Sequence, residues 1–281
     1  MSAPSKPWLE AQVPVRLQAQ GQALARWLKA SGAAAVWREP GRLRAVWPAG
    51  PAGRAAAAEL ARRAGESAQL HEFCAADPRA AFCRPPEDVI HPRLSLTPAW
   101  SGLMPTPSRL VIDPLTAFGA GDHPSTRLNL LLLAQVLDAA PPPAGAWAAD
   151  VGAGTGVLAL AMSLIAGLRV AAIDPDPAAA RATARNQALN PLAGGRVRFV
   201  RATHAALAGR LPLIAANLPG PLLIHTGPHL AACLAAGGRL VVSGFRDEFD
   251  GRVEEVFGGL GLVRADTAAQ AGWSGQVWAA G

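Results

Sequence analysis

The sequence predicts an α/β chain: a doubly wound, mostly parallel sheet preceded by a small α+β domain. Three observations carry this. Beyond residue 145, short apolar runs alternate with helix-like runs, which is the pattern of parallel strands joined by crossover helices. Before residue 76 the order reads strand, helix, strand, strand, helix, strand, the split-βαβ or ferredoxin-like arrangement. Between the two, from about residue 75 to 100, proline, aspartate and arginine interrupt every period. The expected organisation is therefore 1–75 as a small domain, 76–108 as a linker and 109–281 as the larger sheet.

In the first domain, residues 8–15 (WLEAQVPV) read as a strand, and residues 18–31 place Ala23, Leu24, Trp27 and Leu28 on one helical face. In AAAVWREPGRLRAVWP two apolar runs flank a Glu-Pro-Gly turn, so strands near 34–38 and 42–47 should pair as a hairpin. Residues 52–65 read as a helix and 68–74 as a closing strand. Trp8, Trp27, Trp37 and Trp47 fit core packing of a small sheet better than a base-stacking platform.

Composition excludes several classes. The longest apolar run, VLALAMSLIAGL, is too short to cross a bilayer, and the N-terminus reads as no export signal. Three cysteines (Cys74, Cys83, Cys233) match no metal-ligand spacing, so buried thiols in a reducing compartment, the cytoplasm, are expected, with no metal. Of 26 basic residues 24 are arginine. Residues 1–100 carry 13 basic and 8 acidic side chains against 13 and 12 in the remainder, so the surplus sits in the first third. That fits a docking surface for an anionic partner or a solvated face.

The chemistry is most legible at Asp150–Gly156, DVGAGTG, where an apolar strand runs into three glycines and then a helix. Eighteen residues past Gly156, the next strand, RVAAID, ends in Asp174, from which a carboxylate can accept both hydroxyls of an adenosine ribose. A dinucleotide fingerprint is GxGxxG; here the third glycine arrives one residue early and Val157 stands in its place. GxGxG with a downstream acid suits S-adenosylmethionine, which brings no pyrophosphate to the helix N-terminus. Gly152, Gly154 and Asp174 are the cofactor candidates. A later strand ends in Asn217-Leu218-Pro219-Gly220, where an amide oxygen and a following carbonyl can accept hydrogen bonds from an amine and aim its lone pair.

The segments DPLTAFGAGDHPSTRLNLLLL, DVGAGTGVLALA, AIDPDPAAARATARN and AANLPGPLL, in that order, resemble the PrmA family over residues 111–245. That family methylates amino groups of the large-subunit ribosomal protein L11 with S-adenosylmethionine. The resemblance implies a seven-stranded methyltransferase sheet and a cytoplasmic enzyme, expected to work as a monomer on the ribosomal protein, free or on the ribosome. It also implies an N-terminal substrate-recognition domain and no sequence-specific nucleic-acid binding. It places the cofactor contacts on Thr126, Gly152, Asp174 and Asn217, with Asn217 also the catalytic residue, and it makes residues 112–126 a loop folding over the cofactor. His123 then shapes that loop instead of acting as a base, and Phe118 either faces the sulfonium or anchors the loop. Ala120 and the pair Pro219-Gly220 depart from the family's usual residues. Methylation of RNA or of a small amine, and a non-catalytic S-adenosylmethionine-binding module, remain the alternative readings.

Overall fold

The computed structural model describes residues 6–14, 24, 27–28, 30–39, 42–65, 69–75, 87–99, 103–113 and 117–281, which fall into two units, Met1–Pro85 and Pro86–Gly281. In the first unit the strands are β1 (Lys6–Pro14), β2 (Ala35–Glu39), β3 (Arg42–Pro48) and β4 (Gln69–Ala75), with helix α1 (Pro51–Ala64) before β4. They form one antiparallel sheet in the order β2-β3-β1-β4, the ferredoxin-like order.

Alternation explains its core. Leu9, Ala11 and Val13 of β1 and Leu43, Ala45 and Trp47 of β3 point to one face, where Leu24 and Leu28 and, from α1, Ala57, Leu60 and Ala64 cover them. Trp47 is thus a core residue, and Trp27 is half-buried beneath the Arg63 guanidinium at 4.8 Å. On the opposite face of β1, buried Glu10 takes the Arg44 Nε–H at 2.5 Å and a Gln12 amide N–H at 3.0 Å. The Pro40-Gly41 turn, the side chains of Trp37 and Cys74, Cys83, and most of residues 18–31 lie outside the described residues.

The stretch read as a connector carries structure in its later part. Strands β5 (Asp88–His91) and β6 (Leu94–Pro98), with β7 (Arg109–Ile112), make a small three-stranded sheet belonging to the second unit. β5 and β6 span four and five residues and are flanked by prolines, too short for a period to register in the sequence. Arg109 pairs with Glu87 at 2.6 Å, and the carboxylate's pKa is lowered from its ordinary value, first because that guanidinium donates to it and then through the Ser95 hydroxyl.

The larger unit continues with α2 (Pro124–Ala139), β8 (Trp147–Val151), α3 (Val157–Ala166), β9 (Arg169–Ile173), α4 (Pro177–Leu189), the single turn α5 (Pro191–Gly194), β10 (Val197–Val200), β11 (Leu211–Asn217), α6 (Gly220–Ala232), β12 (Leu234–Arg246), α7 (Asp250–Gly259), β13 (Val263–Gln270) and β14 (Trp273–Ala279). Its seven strands run in the order β10-β9-β8-β11-β12-β14-β13, parallel from β10 through β12, with β14 antiparallel to both neighbours. Successive residues serve opposite faces. Leu213, Ala215, Val241 and Val277 enter one core with α2 and α3, while Ile214, Ala216, Val242 and Trp278 enter the other with α6 and α7. Both faces are covered, hence the near-continuous apolar strands. The last segment, LVRADTAAQAGWSGQVWAA, closes on itself as a hairpin, because Ala271 (φ 51°) and Gly272 (φ 74°) adopt the left-handed pair that a tight two-residue turn needs.

Candidate active site

Strand order reverses between β8 and β11, and in doubly wound sheets the crevice outside the carboxyl ends at such a point receives the ligand. Four of the sequence-selected residues lie there. Gly152 and Gly154 form the turn leaving β8, Asp174 follows β9, and Asn217 ends β11.

The glycine turn has a second wall. Gly154 has φ 53°, and a Cβ there would collide with the Phe118 carbonyl oxygen, so only glycine admits this approach. The same carbonyl accepts the Thr155 N–H at 3.0 Å, and the Thr155 hydroxyl donates to the Gly119 carbonyl at 2.6 Å. The segment 117–121 is thereby laid onto the glycine turn. From the other side the Thr183 hydroxyl donates to the Gly154 carbonyl at 3.1 Å and the Asn186 amide to the Thr155 carbonyl at 2.9 Å, while Asn186 Oδ1 accepts the Asp113 N–H at 2.8 Å. α4, the glycine turn and the start of the 112–126 segment are one hydrogen-bonded assembly.

Asp174 Oδ2 accepts the Gly154 N–H at 3.0 Å and Oδ1 accepts the Asp176 N–H at 2.9 Å. A carboxylate has about four acceptor positions, so each oxygen retains a lone pair for one hydroxyl. Behind it Asp150 is completely buried. Its Oδ2 takes the Ala159 N–H at 3.0 Å, whereas Oδ1 has no partner among the described residues. Burial pushes its pKa up to about 7; the Ala159 N–H opposes that and the nearby Asp174 charge adds to it.

The fifth sequence-selected residue, Thr126, meets Asn217 directly. Thr126, fully buried in the first turn of α2, accepts a hydrogen bond on Oγ1 from the Asn217 amide nitrogen at 3.1 Å. This turns Asn217 Oδ1 the opposite way, buried and without a partner among the described residues. Asn129, one turn along α2, donates to the Ala216 carbonyl at 3.1 Å and fixes the end of β11 from below; its Oδ1 is likewise unpartnered.

His123 is the N-cap of α2, and its Nδ1 accepts the Ser125 N–H at 3.2 Å. Its ring stands edge-on to Phe118 at 5.2 Å and Trp273 at 4.5 Å, and burial holds its pKa below the ordinary histidine value against the opposing pull of Asp122. Phe118 itself is 56 % exposed, so its ring covers little core.

Asp150, Asn129 and Gly244 were not singled out in the sequence. Gly244 has φ 95° at an irregularity in the β12–β14 register, and a Cβ there would lie 2.6 Å from Asn217 Oδ1. A glycine inside the apolar strand RLVVSGF is the signal that could have found it, since such glycines mark bulges and close backbone approach.

The family described as Ribosomal protein L11 methyltransferase (PrmA) matches residues 86–278. Two curated ribosomal protein L11 methyltransferases are similar: that of Pelobacter propionicus, 35 % identical over 188 residues (66 % of this chain, 60 % of that protein), and that of Parasynechococcus marenigrum, 37 % identical over 194 residues (66 % and 65 %). The chain thus spans somewhat under two thirds of their length. The crystal structure of a ribosomal protein L11 methylase from Lactobacillus delbrueckii subsp. bulgaricus, 24 % identical, superposes with a TM-score of 0.60 over 68 % of this chain and 97 % of that one, which shows a shared fold. With the family matched across more than half of its length, the chain belongs to the ribosomal protein L11 methyltransferase (PrmA) family.

Proposed function

We propose that the larger unit takes up S-adenosylmethionine across the carboxyl ends of β8, β9 and β11, and that the enzyme transfers its methyl group to lysine or N-terminal amines of ribosomal protein L11. The observation that carries this is the Asn217 amide: its NH2 donates to Thr126, which orients the amide, and its buried oxygen, without a partner among the described residues, is left to accept from a ligand. The residues fit the cofactor. Gly154 lets the Phe118 segment close against the turn as its second wall, Asp174 retains acceptors for two ribose hydroxyls, and buried Asp150 behind the turn, its Oδ1 unpartnered among the described residues, would ionise more readily beside a positive charge. Exposed Phe118 offers a ring face to a cation, and Thr126 closes the wall.

Bound there, the cofactor supplies an electrophilic methyl on a positively charged sulfur. The protein's share is alignment. In this reading Asn217 Oδ1 accepts one N–H of the incoming amine and the following Leu218 carbonyl would serve as a second acceptor, which points the lone pair along the line of displacement. Thr126 holds the amide from turning, and Gly244 leaves room for its oxygen. The acceptor must arrive neutral. A lysine has an ordinary pKa near 10.4, so the rate rises with pH until the amine is deprotonated. We assign substrate recognition to the N-terminal unit, with the protein acting as a cytoplasmic monomer; the family membership supports this reading.

The test is incubation of the full chain with purified L11 and methyl-labelled cofactor, with label located by mass spectrometry. Label on amino groups of L11, abolished by Asn217→Ala while cofactor affinity stays within a few-fold, is the expected result. Tight cofactor binding with no label on L11 would overturn the substrate assignment.

A further inference from the structure

The opposite edge of the larger sheet carries a second concavity. Where β8, β9 and β10 begin, a cavity of about 730 Å³ is lined by Trp147, Arg169, Arg196 and Arg198, together with small residues such as Gly145 and Gly167. Trp147 and Arg169 are register partners on neighbouring parallel strands, and Arg196 and Arg198 flank the start of β10. Their side chains are exposed, Trp147 at 44 %. Arg196 donates to the Leu192 carbonyl and Arg198 to the Gly195 and Val197 carbonyls, and no ion pair among the described residues joins any of the three guanidiniums to a carboxylate. Residues 101–281 hold 13 basic and 12 acidic side chains, so this convergence is local and does not reflect a general surplus. Clustered like charges repel unless an anion joins them. The five-residue strands β8 and β9 separate this edge from the glycine turn by roughly 15 Å at about 3.3 Å per residue.

We propose that this cavity binds single-stranded RNA without sequence preference, its arginines on consecutive phosphates and Trp147 stacked on a base. Guanidiniums match phosphate oxygens in a fork geometry that a lysine cluster would not provide. An exposed indole beside them selects a ligand that alternates anion and flat ring, which an acidic peptide does not. The inference stands apart from the methyl-transfer site and shares no residue with it.

Full-length protein is titrated into a fluorescent oligoadenylate of about twelve nucleotides, read by anisotropy, with AMP and inorganic polyphosphate as competitors. The oligonucleotide should bind with a log–log salt slope of about −2, from three phosphates at about −0.7 each. The combined Arg169→Ala, Arg196→Ala and Arg198→Ala variant should weaken binding at least about tenfold and flatten the slope. Trp147→Ala should weaken oligoadenylate about fivefold or more and leave polyphosphate unchanged. Melting midpoints equal to wild type certify folding, and the triple Arg→Lys variant, which keeps the charge, should recover part of the affinity. Unchanged affinity in the triple Arg→Ala variant overturns the site. AMP competing as well as the oligonucleotide, or Trp147→Ala affecting neither ligand, overturns its assignment to RNA.

Discussion

Replacing Asp150 by asparagine should change how the stability of the larger unit depends on pH. The carboxyl is fully buried, and its pKa is raised from an ordinary 3.8 to about 7. At about 1.36 kcal/mol per unit, ionising it inside the fold costs on the order of 4 kcal/mol more than in the unfolded chain. Because the folded value is the higher one, the stability attached to the protonated form is complete below pH 4 and is lost as pH climbs through 7. Wild type should therefore weaken between pH 5 and pH 8. Asparagine has the same shape and stays neutral. Its carbonyl can keep the Ala159 N–H, while its NH2 occupies the place of the unpartnered Oδ1 at a cost of about 1–3 kcal/mol that does not vary with pH. Asp150→Asn should be equal or weaker than wild type at pH 5 and stronger at pH 8. Protection of the α3 amides against hydrogen exchange in increasing urea, on cofactor-free protein at both pH values, measures this within the unit concerned. A wild-type-to-variant difference that is the same at both pH values would show that Asp150 is not held neutral by its surroundings.

Other substitutions separate binding from chemistry. Asp174→Ala removes the acceptor proposed for two hydroxyls, and at about 1.5–3 kcal/mol per charge-assisted bond the cofactor Kd should rise at least a hundredfold in calorimetric titration. Gly244→Ala pushes on Asn217 Oδ1 and adds left-handed strain, so kcat should fall more than tenfold with cofactor Kd little changed. His123→Ala deletes the N-cap acceptor and an edge contact to Trp273, together about 1–2 kcal/mol, and should lower the calorimetric melting midpoint of the larger unit by a few degrees.

The parts most legible in the sequence were those with a repeating physical cause. The near-continuous apolar runs LPLIAAN and RLVVSGF follow from burial on both sheet faces, and the ends of such strands locate Asp174 and Asn217 from the sequence. The glycine turn was readable because only glycine fits its left-handed backbone. Pairings across long sequence separations were not readable. Nothing local in PSTRLNLLLL says that Thr126 will meet Asn217, 91 residues away, or that Asn129 will tie down Ala216. Asp150 opens DVGAGTG in a way that looks the same whether it caps the next helix or faces a ligand; its depth and its bare oxygen distinguish it only in three dimensions. The β13–β14 hairpin was hidden because its turn, Ala-Gly, lacks the asparagine or aspartate that usually announces one.

The unpartnered groups also define what this crevice refuses. Of the buried side-chain atoms without a partner among the described residues, three border the carboxyl ends of β8 and β11: Asp150 Oδ1, Asn129 Oδ1 and Asn217 Oδ1. The two amide oxygens are acceptors, Asp150 Oδ1 becomes one when its carboxyl ionises, and Asp174 adds a carboxylate. A pyrophosphate is itself acceptor-only and anionic, so it would meet like charge, and with Val157 in place of a third fingerprint glycine the turn offers it no compensating cradle. An ammonium, a ribose or an incoming amine brings donors and satisfies those atoms. NAD should therefore compete against labelled S-adenosylmethionine at least about thirtyfold more weakly than S-adenosylhomocysteine, a ratio set by leaving even one charged acceptor unpaired at about 2–3 kcal/mol. Asp174→Asn should narrow that ratio by relieving part of the repulsion. Equal competition by NAD in the wild-type protein would mean that the acceptors face away from the ligand, and the roles assigned to Asp174 and Asn217 would fall together.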